Sequence, residues 1–303
     1  MQKIYRLTPA TKDNIWGGNK LREYGKQSDK DRIAESWELS FTCGGEARIS
    51  DLREMSEAFP KEAWGTACEK FHAFPVLTKF IDAREKLSVQ VHPSDEYALK
   101  NEGQFGKTEM WYVVDAEDGA GLYMGLERKC DKSEFEAAVA DGTVEELLSF
   151  KTVKPGDVYF IPSGTIHAIG AGVVIFVIQQ NSTLTYRLYD YMRRDKDGNL
   201  RELHVEKAMN VSLLEPYSET EFDTDDEHVI GKCEYFETRK YKLNFTKQSF
   251  NVEKDSYLSI TCVSGEGVIE GERISRGDTF FIPAGSGEVS VEGSLEIITV
   301  KTV

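Results

Sequence analysis

The chain carries one twelve-residue frame twice: GDVYFIPSGTIH at 156–167 and GDTFFIPAGSGE at 277–288. Each copy has Gly-Asp to open a turn, three strand-forming residues, Ile-Pro and then a second glycine. Pro162 has no N–H to give a ladder and must close its strand, and Gly164 makes the tight turn that follows. A chain that builds this corner twice is restricted to a β-rich architecture with two related units. The copies part at their last position, His167 in one and Glu288 in the other, so an imidazole is delivered to only one corner.

The rest of the chain agrees. Short runs rich in Val, Ile, Phe and Tyr, such as 74–83, 86–92, 108–115, 157–162, 172–182, 257–263, 278–283 and 294–301, alternate with Gly, Pro, Asp and Asn. Helical signals are sparse: 131–150, with Ser133 as N-cap and Glu136 completing a capping box, and weaker stretches at 55–65 and 204–214. The acidic, aperiodic run 215–228 reads as a linker or surface loop. The expected domains are therefore 1–220 and 221–303.

Composition excludes several partners. A net charge of −15 argues against nucleic acid or an anionic membrane surface. Five scattered cysteines without a CxxC pair suit a reducing compartment, and no apolar run resembles a leader or a membrane span. The expectation is a cytoplasmic protein, monomeric or homodimeric.

In KLSVQVH, Ser88, Gln90 and His92 alternate with Leu87, Val89 and Val91, so the three polar groups share one strand face. A solvated face competes with a site here, but Gln and His two apart are unusual on such a face. Glu109 opens an otherwise apolar strand, and a carboxylate in that company needs a cation or donors. Gln90, His92, Glu109 and His167 together make a four-ligand metal set of two imidazoles, a carboxylate and an amide oxygen. Such a set suits Zn²⁺, with Fe²⁺ or Mn²⁺ tolerated. Lys107, two residues before Glu109, falls on the same side of an extended backbone; the bland alternative is a loop lysine. Arg187 offers a fork for an oxyanion or phosphate, against a structural ion pair with Asp190. His72, His204 and His228 read as packed or solvent-facing, Trp16 as a packing residue of the N-terminal arm, and Arg193 and Arg194 as flanks of a solvated turn.

The repeated frame resembles the second cupin motif position for position. KLSVQVHPSDEYA, GKTEMWYVV, IPSGTIHAIGAG and QQNSTLTYRLYDY, with IWGGNKL and ESWELS, resemble the type I mannose-6-phosphate isomerases in their short bacterial form, over about residues 5–210. The resemblance implies a mainly β fold of two tandem cupin jelly-roll barrels, with a few helices in and around the first. It implies one zinc per chain on Gln90, His92, Glu109 and His167. It also implies interconversion of mannose 6-phosphate and fructose 6-phosphate through a cis-enediol, with Lys107 and Arg187 in the active site and Ser88 beside the substrate. Relatives usually carry carboxylates where this chain has Val177 and Thr183; the proton carrier stays open among a metal-bound water, Glu109 and Lys107. After residue 228 no HxH or QxH occurs, and YLSITCVSGEGVIEG, expected to match the first ligand strand, has no imidazole. The second unit is expected to be metal-free. Two other readings remain: a non-catalytic sugar-binding or regulatory cupin, and an Fe²⁺ bicupin dioxygenase, against which Gln90 and the nearby basic residues count.

Overall fold

The computed structural model describes residues 2–195, 197–220, 222 and 225–303. Its backbone groups into two compact units, one of residues 14–18 and 81–220 and one of residues 1–13, 19–80 and 221–303. No helix is long and apolar enough to cross a membrane.

In the first of these units the strands are β1 (Val89–Val91), β2 (Glu109–Ala116), β3 (Gly121–Leu126), β4 (Leu148–Thr152), β5 (Val158–Ile161), β6 (His167–Ile169), β7 (Val173–Gln180) and β8 (Tyr186–Tyr189). One sheet runs β8-β1-β6-β3-β4, and β7, β2 and β5 lie side by side in the other. The helices are α1 (Asp95–Asn101), α2 (Lys132–Asp141) and α3 (Val205–Met209). The central strands β6 and β3 of the five-stranded sheet are buried, while the edge strand β4 is exposed at Phe150, Lys151 and Thr152. Val89, Val91, Ala168 and Leu188 pack outward against Phe135 and Val139 of α2 and Ala208 and Met209 of α3. That coverage frees the inner face for polar side chains.

The expected helix 131–150 is shorter than its pattern. It ends at Asp141 because Gly142 takes a left-handed conformation (φ 75°), and residues 148–152 form β4. Its N-cap is Asp131, whose carboxylate accepts from the Glu134 N–H at 2.8 Å; Ser133 instead donates to Asp131. A carboxylate is the stronger acceptor at a helix N-terminus.

The other unit contains β9 (Glu237–Val252), β10 (Leu258–Ile269), β11 (Thr279–Ile282) and β12 (Gly287–Lys301). It groups with residues 1–13 and 19–80 where the sequence suggested a simple division at 220 and 221. Three long-range ties account for this. The strand Tyr5–Arg6 pairs with β11. The Thr66 and Ala67 N–H groups donate to the Lys254 and Asp255 carbonyls at 3.2 and 2.8 Å. Phe59, Phe74 and Tyr257 gather around Phe41 and Phe281. None is a local pairing, so no local pattern announces it.

The repeated frame is one physical device used twice. Gly156 and Gly277 share a left-handed turn (φ 96° and 94°). The Asp157 and Asp278 carboxylates accept from the Lys154 and Ser275 N–H groups at 3.0 and 2.8 Å. Glu109 of β2 pairs with Ile161, and Leu258 of β10 pairs with Ile282 in the same place. Strand β10 is thus the counterpart of the Glu109 strand, which corrects its expected match to the Gln90–His92 strand. In the first barrel Gln90 pairs with His167; in the second, Phe250 of β9 pairs with Val289. Gly287, with φ 74°, turns Glu288 outward, and the buried Val289 faces inward. Phe250, Val252, Leu258 and Val289 belong to one apolar core. The second barrel fills with hydrocarbon the place where the first gathers polar groups.

Candidate metal centre

Four side chains converge inside the first barrel. His92, Glu109 and His167 are buried, with ligand atoms within 4.8 Å of one another. The Glu109 Oε1 atom lies 3.5 Å from His92 Nε2 and 3.4 Å from His167 Nε2. The Gln90 Nε2 lies 3.2 Å from His167 Nε2 while its Oε1 accepts from Ser88, so the amide must turn over to offer its oxygen to a shared ion. A tetrahedral site with bonds of about 2.0–2.1 Å has edges of roughly 3.3 Å, close to these separations.

Hydrogen bonds outside the cluster decide its chemistry. The Nδ1 atoms of His92 and His167 lie 2.8 Å from the Leu184 and Thr165 carbonyl oxygens, which only accept, so each Nδ1 carries the proton. Both Nε2 lone pairs then point inward, where the Glu109 carboxylate, the Lys107 ammonium and the Gln90 NH₂ face them. Burial, and then the Lys107 charge, pulls the His92 pKa down to about 3. Burial also lowers His167. Burial alone would raise the Glu109 carboxyl, but the Lys107 charge beside it holds it well below the usual range. The contacts of Glu109 with the imidazoles are therefore not ion pairs. Three electron-rich atoms face one another with every protonation state suited to a cation.

Lys107 lies on the expected side. Its Nζ is 3.2 Å from Glu109 Oε2 and 3.0 Å from His92 Nε2, and it is buried. Ser88, also buried, donates to the Gln90 amide oxygen at 3.3 Å. Arg187 stands opposite Gln90 across β8 and β1, two strands from His167. Its Nη1 donates to the Glu202 carbonyl at 2.8 Å, and its Nε is buried without a partner among the described residues. Burial, and then neighbouring Arg201, lowers the Arg187 pKa. Asp190 pairs with Arg193 and with Arg201, not with Arg187. Arg193 also donates to the Lys86 carbonyl, so it is held in place, not solvated as expected.

The other histidines stay outside the cluster. His72 is exposed. His204 is half-buried, its Nδ1 accepting from the Arg187 N–H at 3.2 Å, and His228 stacks on Tyr241 at 4.4 Å. These two were expected to face solvent. Trp16 is buried, as expected of a packing residue.

Three supports lie outside the side-chain patterns read above. The Leu184 and Thr165 carbonyls are backbone atoms, invisible to side-chain patterns. Gln180 accepts from the Thr108 N–H at 2.7 Å and donates to Asp95 at 2.8 Å, while Asp95 accepts from the Gly106 N–H at 2.6 Å. Together they fix the segment that carries Lys107. The Gln-Gln pair beside a ligand strand was the available signal.

Comparison with known proteins points to one family. The family described as phosphomannose isomerase type I, catalytic domain, matches residues 4–119, and the mannose-6-phosphate isomerase cupin domain matches 225–302. Mannose-6-phosphate isomerase ManA of Bacillus subtilis is 37% identical, with 96% of each chain covered. A crystal structure of the mannose 6-phosphate isomerase from Bacillus subtilis superposes with a TM-score of 0.89 at 32% identity, covering 99% of both chains. A mannose 6-phosphate isomerase bound with zinc and yttrium shares the fold, with a TM-score of 0.78, 16% identity and coverage of 99% of this chain and 100% of the other.

Proposed function

The chain belongs to the type I mannose-6-phosphate isomerase family, and from that premise we propose that it interconverts mannose 6-phosphate and fructose 6-phosphate, holding one zinc ion per chain on Gln90, His92, Glu109 and His167. The observation that carries this reading is the meeting of two inward imidazole lone pairs and a carboxylate within 3.4–3.5 Å. The Lys107 ammonium and the Gln90 NH₂ already sit against those lone pairs at 3.0 and 3.2 Å, and a set of nitrogen and hard oxygen donors without thiolate suits zinc in their place. Bound zinc would orient sugar oxygens and stabilise developing negative charge.

The protein's own groups supply the rest. Isomerisation moves a proton between C1 and C2 and passes through an enediolate whose charge must be met. The buried Lys107 ammonium, beside Glu109, is placed to meet it in a low-dielectric interior. Arg187 presents a planar fork, with its Nε unpartnered, to the phosphoryl group. Ser88 steadies Gln90 and lies beside the sugar. The residues that carry the proposed chemistry, Ser88 to Arg187, lie within 1–220, and 221–303 is read as a metal-free cupin unit whose apolar core also takes in Ile4. Five free cysteines support a reducing, cytoplasmic setting.

A non-catalytic sugar-binding role is the second reading: the family resemblance leads one to expect carboxylates where this chain has Val177 and Thr183, and Val177 is fully buried. A coupled assay for fructose 6-phosphate, on protein dialysed against chelator and reloaded with zinc, separates the two. Catalysis restored by zinc supports the isomerase; sugar-phosphate binding without turnover supports the binder.

A further inference from the structure

Gln179 of β7 pairs directly with Glu109, and Val177 pairs with Trp111. Directly opposed residues of an antiparallel pair point to one side, so Gln179 and Trp111 share the face that carries Glu109. Trp111 packs edge-on against His167 at 5.2 Å, which places it in the same interior. Both side chains are 1% exposed. The Gln179 Nε2 donates to the Gln180 and Ser182 carbonyls at 3.0 and 2.8 Å. Carbonyls only accept, so these two bonds fix which end of the amide is NH₂ and leave Oε1 facing the other way. Among the described residues, that Oε1 has no hydrogen-bond partner, and neither has the Trp111 indole Nε1. An orphan acceptor and an orphan donor thus sit on one buried face beside the proposed metal centre. Leaving such groups unpaired is costly, and a site built around them discriminates against ligands that cannot pair them.

We infer that Gln179 is a specificity-determining residue whose Oε1 accepts a hydrogen bond from a ring hydroxyl of the bound sugar phosphate, with the Trp111 indole N–H as the complementary donor. The inference rests on the isomerase reading above. A sugar hydroxyl both donates and accepts, which matches the two orphans. The hydroxyls at C1 and C2 take part in the reaction, so those at C3 and C4 are the ones available. Gln179 also braces the 180–182 backbone, close in sequence to the Leu184 carbonyl that orients His92. The test must therefore separate substrate contact from positioning.

The experiment compares kcat/KM of the zinc-loaded parent and Gln179→Met on mannose 6-phosphate and its 3-deoxy and 4-deoxy analogues, with zinc content measured for both proteins. The expected result is a loss of about 10–100-fold for Gln179→Met on mannose 6-phosphate. On one of the deoxy analogues the two proteins should agree within about twofold, because the contact is already missing, with zinc content unchanged. Equal losses on all three substrates would mean packing alone and overturn the inference, as would a variant as active as the parent. Should Gln179→Met fail to fold, the parent decides alone. One deoxy analogue must lose at least about tenfold, and two analogues as good as mannose 6-phosphate contradict the inference. A parent inactive on every substrate after zinc loading sinks the isomerase reading, and this inference with it. An active parent that fails the comparison sinks only this one.

Discussion

Lowering the pH from 7.5 to 5.5 should barely change zinc affinity. An imidazole of ordinary pKa, about 6.5, is roughly 90% protonated at pH 5.5. Two such ligands would each cost about tenfold, together roughly a hundredfold, because zinc must displace their protons. His92 escapes this competition, since burial and the Lys107 charge pull its pKa down to about 3. His167 is also shifted below its ordinary value by burial, and the Glu109 carboxyl is already ionised. The imidazoles therefore meet the ion already neutral, and the expected fall is less than about tenfold, well short of the hundredfold of two ordinary ligands. Competition with a chromophoric chelator, corrected for the chelator's own protonation, measures it. The same shifts set the sign for the metal-free protein. These imidazoles bind protons in the unfolded chain below about pH 6.5 but not in the folded one. Stability should then drop as pH falls, by up to about 1.4 kcal/mol per pH unit for each, until the folded-state values are reached. A hundredfold loss of zinc affinity would show that the imidazoles are not held neutral.

Two further outcomes follow from buried charge elsewhere. Lys26 and Glu38 form a buried pair at 2.7 Å, and Ser36 and Thr279 also bond the carboxylate. Lys26→Met strands that carboxylate and should cost about 3–5 kcal/mol in urea unfolding, largely recovered in the double variant with Glu38→Leu; a cost under about 1 kcal/mol contradicts the pairing. Burial already raises the Glu38 pKa above 4.5, so its ionisation weakens the fold as pH rises, and the Lys26→Met loss should be larger at pH 8 than at pH 5. Arg187→Lys keeps the charge and loses the fork; kcat/KM should fall about 10–100-fold in the coupled assay, and an unchanged value removes Arg187 from phosphate recognition.

Side-chain spacing made much of this molecule legible. The Gly-Pro-Gly frame fixed both barrel corners, and the alternation of Ser88, Gln90 and His92 identified an inward strand face before any fold was known. The two-residue step from Lys107 to Glu109 anticipated their contact at 3.2 Å. What stayed hidden depends on backbone and long-range pairing. The Leu184 and Thr165 carbonyls that set the imidazole tautomers leave no residue pattern. Glu288 looked like the counterpart of His167, yet one left-handed glycine at 287 turns it outward and puts Val289 in its place. Residues 1–80 looked continuous with the site-bearing barrel, but most of them group with 221–303 through the strand at Tyr5–Arg6 and the cluster around Phe281. Ser133 matched a capping pattern and lost to Asp131 because the carboxylate two residues earlier binds the helix end better.

The central claim is that four side chains from three separate stretches share one ion. Anomalous diffraction at the zinc edge, on crystals of the zinc-loaded protein, tests it most directly. The account predicts one peak per chain, about 2.0–2.2 Å from both Nε2 atoms, a Glu109 oxygen and the Gln90 amide oxygen. A peak bound elsewhere, or no peak among His92, Glu109 and His167, would contradict it.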